Sequence, residues 1–310
     1  MTAPTPLRVC LAPHTPEEIP ELAAAITATG AELVPLTQAQ ALIWTGLLDG
    51  FPHPLPDNIE WVQLKLAGIE SFLDAGVIDD RRIWSNASGF YAANVAEHAL
   101  CLLLAGLHQV VPSARRGWDK DEIDPAVRQL AGSTVSIVGA GGIGRELIPR
   151  LRGCGVRTIA VNRSGNAVEG ADETFPASQL DTIWSRTDHV VLAAPANART
   201  RHLIDTAALQ ALPSHAWIVN VARGSLIDHD ALVTALQSGD IAGAALDVTE
   251  PEPLPANHPL WKMDNVLITP HVANPAATLL ATMAPYVAEN IRRFVAGETL
   301  LAQRDPQLDY

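Results

Sequence analysis

Apolar residues along the chain fall in short runs bounded by polar turns, and these runs alternate with longer stretches in which apolar positions recur every three or four residues. The first pattern is that of buried strands, the second that of amphipathic helices. PLRVCLAP reads as a short strand, EEIPELAAAITATG as a helix closed by Gly30, and AELVPL and ALIWTG as two further strands. WVQLKLAGIE predicts a strand running into a turn at Gly68, and RRIWSNASG another that ends in a polar loop. Strands alternating with helices imply a parallel sheet, so this first part is a small α/β domain. Asn94 to Gly117, NVAEHALCLLLAGLHQVVPSARRG, is apolar nearly all round and predicts one helix covered on several sides, between domains or between subunits. Glu97 and His98 lie inside it. Adjacent residues point to different helix faces, so they are read as ordinary helix residues and not as a catalytic pair.

The stretch STVSIVGAGGIGRELIPRL, residues 133–151, organises the remainder of the chain. Its apolar run Val135 to Val138 passes into Gly139, Gly141 and Gly144 at G-x-G-x-x-G spacing and then into a helical pattern. In that strand-turn-helix context the spacing is a dinucleotide-binding fingerprint. Gly139 permits a tight turn, Gly141 lets a pyrophosphate approach bare backbone, and Gly144 lets the helix pack close to the strand. Backbone N–H groups and the positive end of the helix dipole then hold the phosphates. Pro149 removes an N–H and crowds the carbonyl of Arg145, which predicts a kinked or shortened helix. Beyond it VRTIAVNR, HVVLAAP, WIVNVARG, AGAALDV and VLITPH read as strands, with helical TAALQALP and HDALVTALQSG between them and a helical tail, ATLLATMAPYVAENIRRFVAG. This is the βαβ series of a doubly wound sheet, whose ligands sit beyond the carboxyl ends of the strands.

Composition narrows the function. With 310 residues the chain holds two domains of ordinary size, and 48% hydrophobic with 18% charged residues describes a soluble globular protein. No apolar run reaches the length of a membrane span, and the opening MTAPTPLRVCLAP lacks a signal-peptide pattern, so cytoplasmic residence is expected. Cys10, Cys101 and Cys154 are scattered and odd in number, which suggests neither a disulfide framework nor a metal site. A net charge of −13 argues against nucleic acid and anionic membrane as partners. An anionic substrate therefore has to meet a local cation.

Candidate chemistry gathers where strands end. Asn162, Arg163 and Ser164 stand eighteen residues past Gly144, where an NAD-binding fold presents an acid to the adenosine ribose. Here the acid is missing, and donors with one positive charge favour NADP(H), with NAD(H) as the alternative. Arg223, in NVARGS, offers a planar cation that holds a carboxylate at two points. His271, in TPHVAN, brings the side chain whose ordinary pKa lies nearest neutrality. Glu252, in DVTEPEP, is placed to orient that imidazole and favour its charged form, as a proton donor to a carbonyl requires. Together, after a dinucleotide fingerprint, the three describe a site that reduces a 2-oxo acid.

LAGIE, NASGFYAANVAEHAL, VGAGGIG, NVARGSLIDHDAL, GDIAGAALDVTEPEP, HPLW and TPHVA occur in the order found in the D-isomer-specific 2-hydroxyacid dehydrogenases. The chain resembles that family from roughly Gly68 to its end, and within it is most similar to the glyoxylate/hydroxypyruvate reductases. The resemblance implies two Rossmann-like doubly wound parallel-sheet domains. The substrate domain is discontinuous, residues 1–91 and 277–310, and the dinucleotide-binding domain spans residues 92–276, with a cleft between them that closes on substrate. Arg223, Glu252 and His271 are the implied catalytic group, and Ala67, Gly68 and Ile69 the turn that receives the substrate carboxylate. The implied cofactor wall comprises Gly139, Ala140, Gly141, Gly142, Ile143, Gly144, Pro195, Thr200, Val221 and Ala222. Asp247 holds the nicotinamide carboxamide and Val95 lies near the ring. A homodimer through the long apolar helix is also implied.

Thr249 and Asn274 depart from the family pattern, as does Pro149, and Trp261 in HPLW is placed either at the pocket rim or in packing. No departure removes a catalytic group. The expected activity is reduction of a small 2-oxo acid to the D-hydroxy acid by NADPH, with no metal. The alternatives are a nicotinamide-sensing protein like the corepressors built on this scaffold, whose long flanking tails are not seen here, and an NAD-dependent dehydrogenase such as one for phosphoglycerate. The missing acid at Asn162 and the lack of a regulatory extension count against the last.

Overall fold

In the computed structural model of the chain, which describes residues 5–306 apart from the side chains of residues 276 and 277, the apolar runs form strands and the periodic stretches helices. The first four residues of the opening segment and the last four of the chain lie outside the described residues. The described residues divide into two units, one reaching Tyr91 and resuming at Pro275, the other Ala92–Asn274.

The first unit runs β1 (Arg8–Ala12), α1 (Pro20–Ala28), β2 (Glu32–Leu33), β3 (Ala41–Trp44), β4 (Trp61–Leu64), α2 (Glu70–Asp74) and β5 (Ile83–Ser85). α1 starts at a proline because the first helical N–H has no acceptor to lose. The five strands pair wholly in parallel, in the order β2-β1-β3-β4-β5. Trp44, Phe51 and Phe72 pack edge to face in the core, with ring centroids 5.2 and 5.4 Å apart.

The second unit runs α3 (Ala92–Leu107), α4 (Val110–Arg116), α5 (Lys120–Ile123), β6 (Thr134–Val138), α6 (Gly142–Gly153), β7 (Arg157–Asn162), β8 (Glu173–Pro176), β9 (His189–Leu192), α7 (Thr206–Ala211), β10 (Trp217–Asn220), α8 (His229–Ser238), β11 (Gly243–Leu246) and β12 (Val266–Ile268). Its seven strands are also all parallel, in the order β12-β11-β10-β9-β6-β7-β8. Strand order reverses between β6 and β9, and the crevice at such a reversal is where open α/β sheets bind ligands. Asp205 and Asp228 start α7 and α8 by accepting first-turn amides with their side chains. The chain then returns to the first unit as α9 (Ala276–Thr282) and α10 (Ala284–Ala296), and α10 packs on α1.

Three details differ from the sequence reading. The single helix expected over Asn94 to Gly117 is two, α3 and α4, bent by 57° around a left-handed Gln109. Pro112 explains the break, since it has no N–H for the carbonyl of His108 and its ring crowds that carbonyl; one turn later, inside the first turn of α4, it is tolerated. Among the described residues no single helix is long and apolar enough to cross a membrane, although this bent pair passes by length and composition when its halves are joined. Pro149, expected to kink or shorten its helix, leaves α6 unshortened to Gly153. Both Pro149 and Arg145 are exposed, so water can take the released carbonyl. Strand β8 has no counterpart in the reading; it is an edge strand of half-buried residues, without the apolar run that marks its neighbours.

One acid-sensitive group of the fold is a buried histidine. His189, buried on β9, accepts the backbone N–H of Trp217 at Nδ1 over 3.2 Å, and burial pushes its pKa down to about 4. The folded state thus prefers the neutral ring while the unfolded chain protonates near pH 6.5. The resulting stability, about 3 kcal/mol, is complete above the unfolded value and is lost as pH falls from there through about 4. His189→Gln is expected to flatten the fall in melting temperature between pH 6.5 and 4, as differential scanning calorimetry across that window measures.

Candidate active site

The glycine turn fits a dinucleotide. Gly139, at φ +95°, follows β6, and a Cβ there would stand 2.3 Å from the backbone nitrogen of Ala194, which follows β9. The two strand ends at the switch point approach that closely only because residue 139 has no side chain. A Cβ on Gly144 would meet Ala140 and Ile137 at 3.2 Å, so α6 lies tight on its strand, whereas a Cβ on Gly141 would meet nothing within 4 Å. The first-turn amides of Gly142, Ile143 and Gly144 have no intrahelical acceptor, and no acid in that turn opposes an anion. Thr200 closes the loop after β9, its hydroxyl donating to the Pro195 carbonyl at 2.7 Å and accepting from the Asn197 amide at 2.9 Å. Val221 and Ala222 are buried behind it, after β10, and Val95 is buried in the first turn of α3.

At the end of β7 the three residues part company. The Asn162 side chain is spent on its own turn, donating to the Asn166 carbonyl at 2.7 Å and accepting the Gly165 amide at 2.6 Å. Arg163 and Ser164 are exposed. Ser164 shares the Asn162 turn, its hydroxyl donating to Asn162 Oδ1 and accepting the Asn166 amide, each at 3.3 Å.

The candidate groups follow three neighbouring strands, Arg223 after β10, Asp247 and Glu252 after β11 and His271 after β12. The ladder continues past the strand ends, with the Asp247 amide donating to the Asn220 carbonyl and the His271 amide to the Asp247 carbonyl, each at 2.9 Å. Arg223 is half-buried, and its guanidinium donates to the Ala222 carbonyl at 2.7 Å. His271 Nδ1 lies 2.6 Å from Glu252 Oε1. An ionised carboxylate only accepts, so Nδ1 carries a proton and Nε2 is the nitrogen that gains and gives one. Both side chains remain about half exposed, at 51% and 43%. His271 holds φ +53°, unusual for a non-glycine residue and costing about 1–2 kcal/mol, which its bonds to Asp247 and Thr269 offset.

Asp247 is 2% exposed and held by its own fold. Its Oδ1 accepts from the Thr269 hydroxyl at 2.6 Å and the Val272 amide at 3.0 Å, and its Oδ2 accepts from the Ala273 amide at 3.2 Å. One lone pair of Oδ2 is left over from these bonds, so the acid that positions the His271 loop also has room for one further donor. Asn220, buried on β10, fixes the arginine turn by donating to the Arg223 carbonyl at 2.9 Å and accepting the Ala222 amide at 3.0 Å. Asn220, Thr269 and His98 are not among the expected site residues. Asn220 in an apolar strand run is the legible signal, because a buried amide in such a run needs assigned partners. Thr249 turns its hydroxyl to the Pro251 carbonyl at 2.9 Å, and Trp261 donates to the Pro255 carbonyl at 3.0 Å and lines a shallow cavity with Val111, Arg115 and Ile268. In the first unit, Ala67, Gly68 and Ile69 form the turn from β4 into α2, with Ala67 exposed and Ile69 buried. No group of three or more potential metal ligands occurs among the described residues.

Residues 99–273, more than half of the chain, match the family described as D-isomer specific 2-hydroxyacid dehydrogenase, NAD binding domain. A glyoxylate reductase from Thermofilum pendens is 36% identical over 222 residues, which is 69% of this chain and 65% of that one. The structure of a D-isomer specific 2-hydroxyacid dehydrogenase from Xanthobacter autotrophicus Py2 in complex with NADPH and MES superposes with a TM-score of 0.84 at 28% identity, covering 99% of this chain and all of the other. That of an NADPH-dependent glyoxylate/hydroxypyruvate reductase from Sinorhizobium meliloti in complex with NADP and sulfate does so at 0.80 and 26%, covering 98% and 100%.

Proposed function

Because the chain belongs to the family of D-isomer specific 2-hydroxyacid dehydrogenases, oxidoreductases that act on CH–OH donors, we propose that it reduces a small 2-oxo acid of the glyoxylate or hydroxypyruvate type to the D-2-hydroxy acid, with NADPH as the preferred reductant. The observation that carries this reading is the 2.6 Å contact between His271 Nδ1 and Glu252 Oε1, on a sheet end shared with Arg223. It is supported by the names of similar proteins, two of them glyoxylate reductases and two of them bound to NADPH or NADP.

The steps assigned to this chain derive from its side chains. Arg223 holds the substrate carboxylate and draws electron density onto the carbonyl oxygen through its forked N–H groups. His271 gives that oxygen a proton from Nε2, and Glu252 keeps the ring in register and stabilises its positive charge. A bound reduced nicotinamide supplies the hydride, and the protein supplies the proton, the orientation and the charge. With hydroxypyruvate as substrate, chiral chromatography of the product is expected to give D-glycerate; L-glycerate would contradict the assignment.

NADPH preference rests on the missing acid after β7 and on the exposed Arg163 and Ser164. Arg163→Ala is expected to raise the Kd for NADPH about tenfold, the worth of one charge-assisted contact, and to leave NADH nearly unchanged. Equal weakening of both, measured by quenching of protein fluorescence, would remove Arg163 from the phosphate site. We assign the protein to the cytoplasm as a homodimer. Exposed Val110, at 50%, and Trp118, at 97%, supply apolar surface on and after α4 that favours self-association.

A further inference from the structure

We propose that His98 is a positioning residue: through Thr269 and Asp247 it holds the loop of residues 269–273 that presents His271. This rests on the proposed role of His271 as proton donor, but its starting point is a buried carboxylate. His98 lies one turn after Val95 on α3, with its side chain 20% exposed, and its Nε2 stands 3.2 Å from Asp247 Oδ1 and 3.1 Å from Thr269 Oγ1. The Thr269 hydroxyl already gives its hydrogen to Asp247 Oδ1 at 2.6 Å, so it faces His98 as an acceptor. Both atoms opposite Nε2 thus accept, and Nε2 carries the proton.

The consequence reaches His271 in two steps. A carboxylate with 2% of its residue surface exposed keeps its charge only when hydrogen bonds replace water. Thr269 and the amides of Val272 and Ala273 are neutral donors, and they are also the loop itself. His98 comes from another element, α3; its Nε2–H donates to the Thr269 hydroxyl oxygen with Asp247 Oδ1 also facing it, and so ties the Thr269–Asp247 pair to the body of the unit. With the carboxylate fixed, the amides on the C-terminal side of His271 are fixed, and the backbone is held at φ +53° with Nδ1 on Glu252. Without His98 the Thr269 hydroxyl loses its donor and Asp247 loses the N–H that faces it from α3, and the loop is free to follow when the pair turns toward water.

Two substitutions separate this role from packing. His98→Gln keeps an N–H near the place of Nε2, whereas His98→Leu fills the space with no donor. Were His98 filler, the leucine variant would match or exceed the glutamine one. The proposal requires the reverse order. In long-range ¹H–¹⁵N spectra of the protein without cofactor or substrate, the Nδ1–H signal of His271 on Glu252 is expected to survive in His98→Gln and to broaden or shift to the position of exposed imidazoles in His98→Leu. Where the wild type turns over a 2-oxo acid, kcat is expected to fall roughly ten- to a hundredfold in His98→Leu, as small misplacements of a reacting group do, and to recover most of that in His98→Gln, with melting temperature measured alongside. Should His98→Leu not fold, Thr269→Val removes a donor to the same oxygen and is expected to perturb the same His271 signal. An unchanged His271 signal in His98→Leu, or in Thr269→Val, overturns the proposal. So does a leucine variant as active as the glutamine one. A wild type that reduces no 2-oxo acid speaks against the proposed function, and the His271 signal then decides the role of His98 by itself.

Discussion

His271→Ala is expected to lower turnover of a 2-oxo acid by a factor on the order of hundreds or more, because a positioned proton donor contributes roughly 10²–10⁴ to the rate. In free energy this is about 3–5 kcal/mol of the barrier. The loss should fall on kcat and leave the Kd for NADPH nearly unchanged, since the glycine turn and the β7 end lie on other strands of the sheet. The fold should survive, as His271 is half exposed and its replacement opens no buried cavity. Steady-state rates with titration of cofactor fluorescence separate the two quantities. Wild-type turnover in the variant would end the assignment of His271, and a parallel loss of cofactor affinity would move its role from chemistry to binding.

Arg223→Ala is expected to reduce kcat/KM by about 10³, the upper range for removing one preorganised donor from a developing oxyanion, with a rise in KM because the substrate carboxylate loses its partner as well. Arg223→Lys is expected to recover only part of this. It restores one charge, but a lysine is a point charge and cannot bond carboxylate and carbonyl together through a planar fork. Asn220 should hold the turn in both variants, because it binds the backbone of residues 222 and 223 and not the guanidinium. A lysine variant equal to wild type would mean that charge alone suffices, and that the two-point geometry has no part in the reaction.

Much of this architecture is legible in the chain. Strands β6, β7, β9, β10 and β11 are apolar runs that end in the residues of interest, and parallel pairing with short connections leaves few ways to arrange them. The placement of Arg223, Glu252 and His271, the trio proposed for catalysis, is readable for the same reason: a strand end is a sequence-local feature, and three neighbouring strands bring three such ends together. The features that escape such a reading depend on partners distant in sequence. β8 owes its existence to pairing with β7, not to its own pattern. The break at Gln109 is a contest between a long apolar periodicity and one proline, and the proline wins locally because its cost falls on a single carbonyl. Asn162 reads as a ligand donor, but a short amide at a strand end also satisfies its own turn, and here the turn takes it. His98 escapes notice because neighbouring Glu97 faces solvent and the pair looks ordinary on a helix. Its partners are Asp247 and Thr269, far along the chain, and no helical periodicity announces them.

The central claim, that this sheet end reduces a small 2-oxo acid with NADPH, is tested most directly by initial rates of absorbance loss from NADPH and, separately, NADH, with glyoxylate, hydroxypyruvate, pyruvate and phenylpyruvate in turn. NADPH is expected to be oxidised faster than NADH, with glyoxylate or hydroxypyruvate as the best substrate. Measurable cofactor binding with no turnover of any of the four acids would contradict the claim and favour a nicotinamide-sensing role.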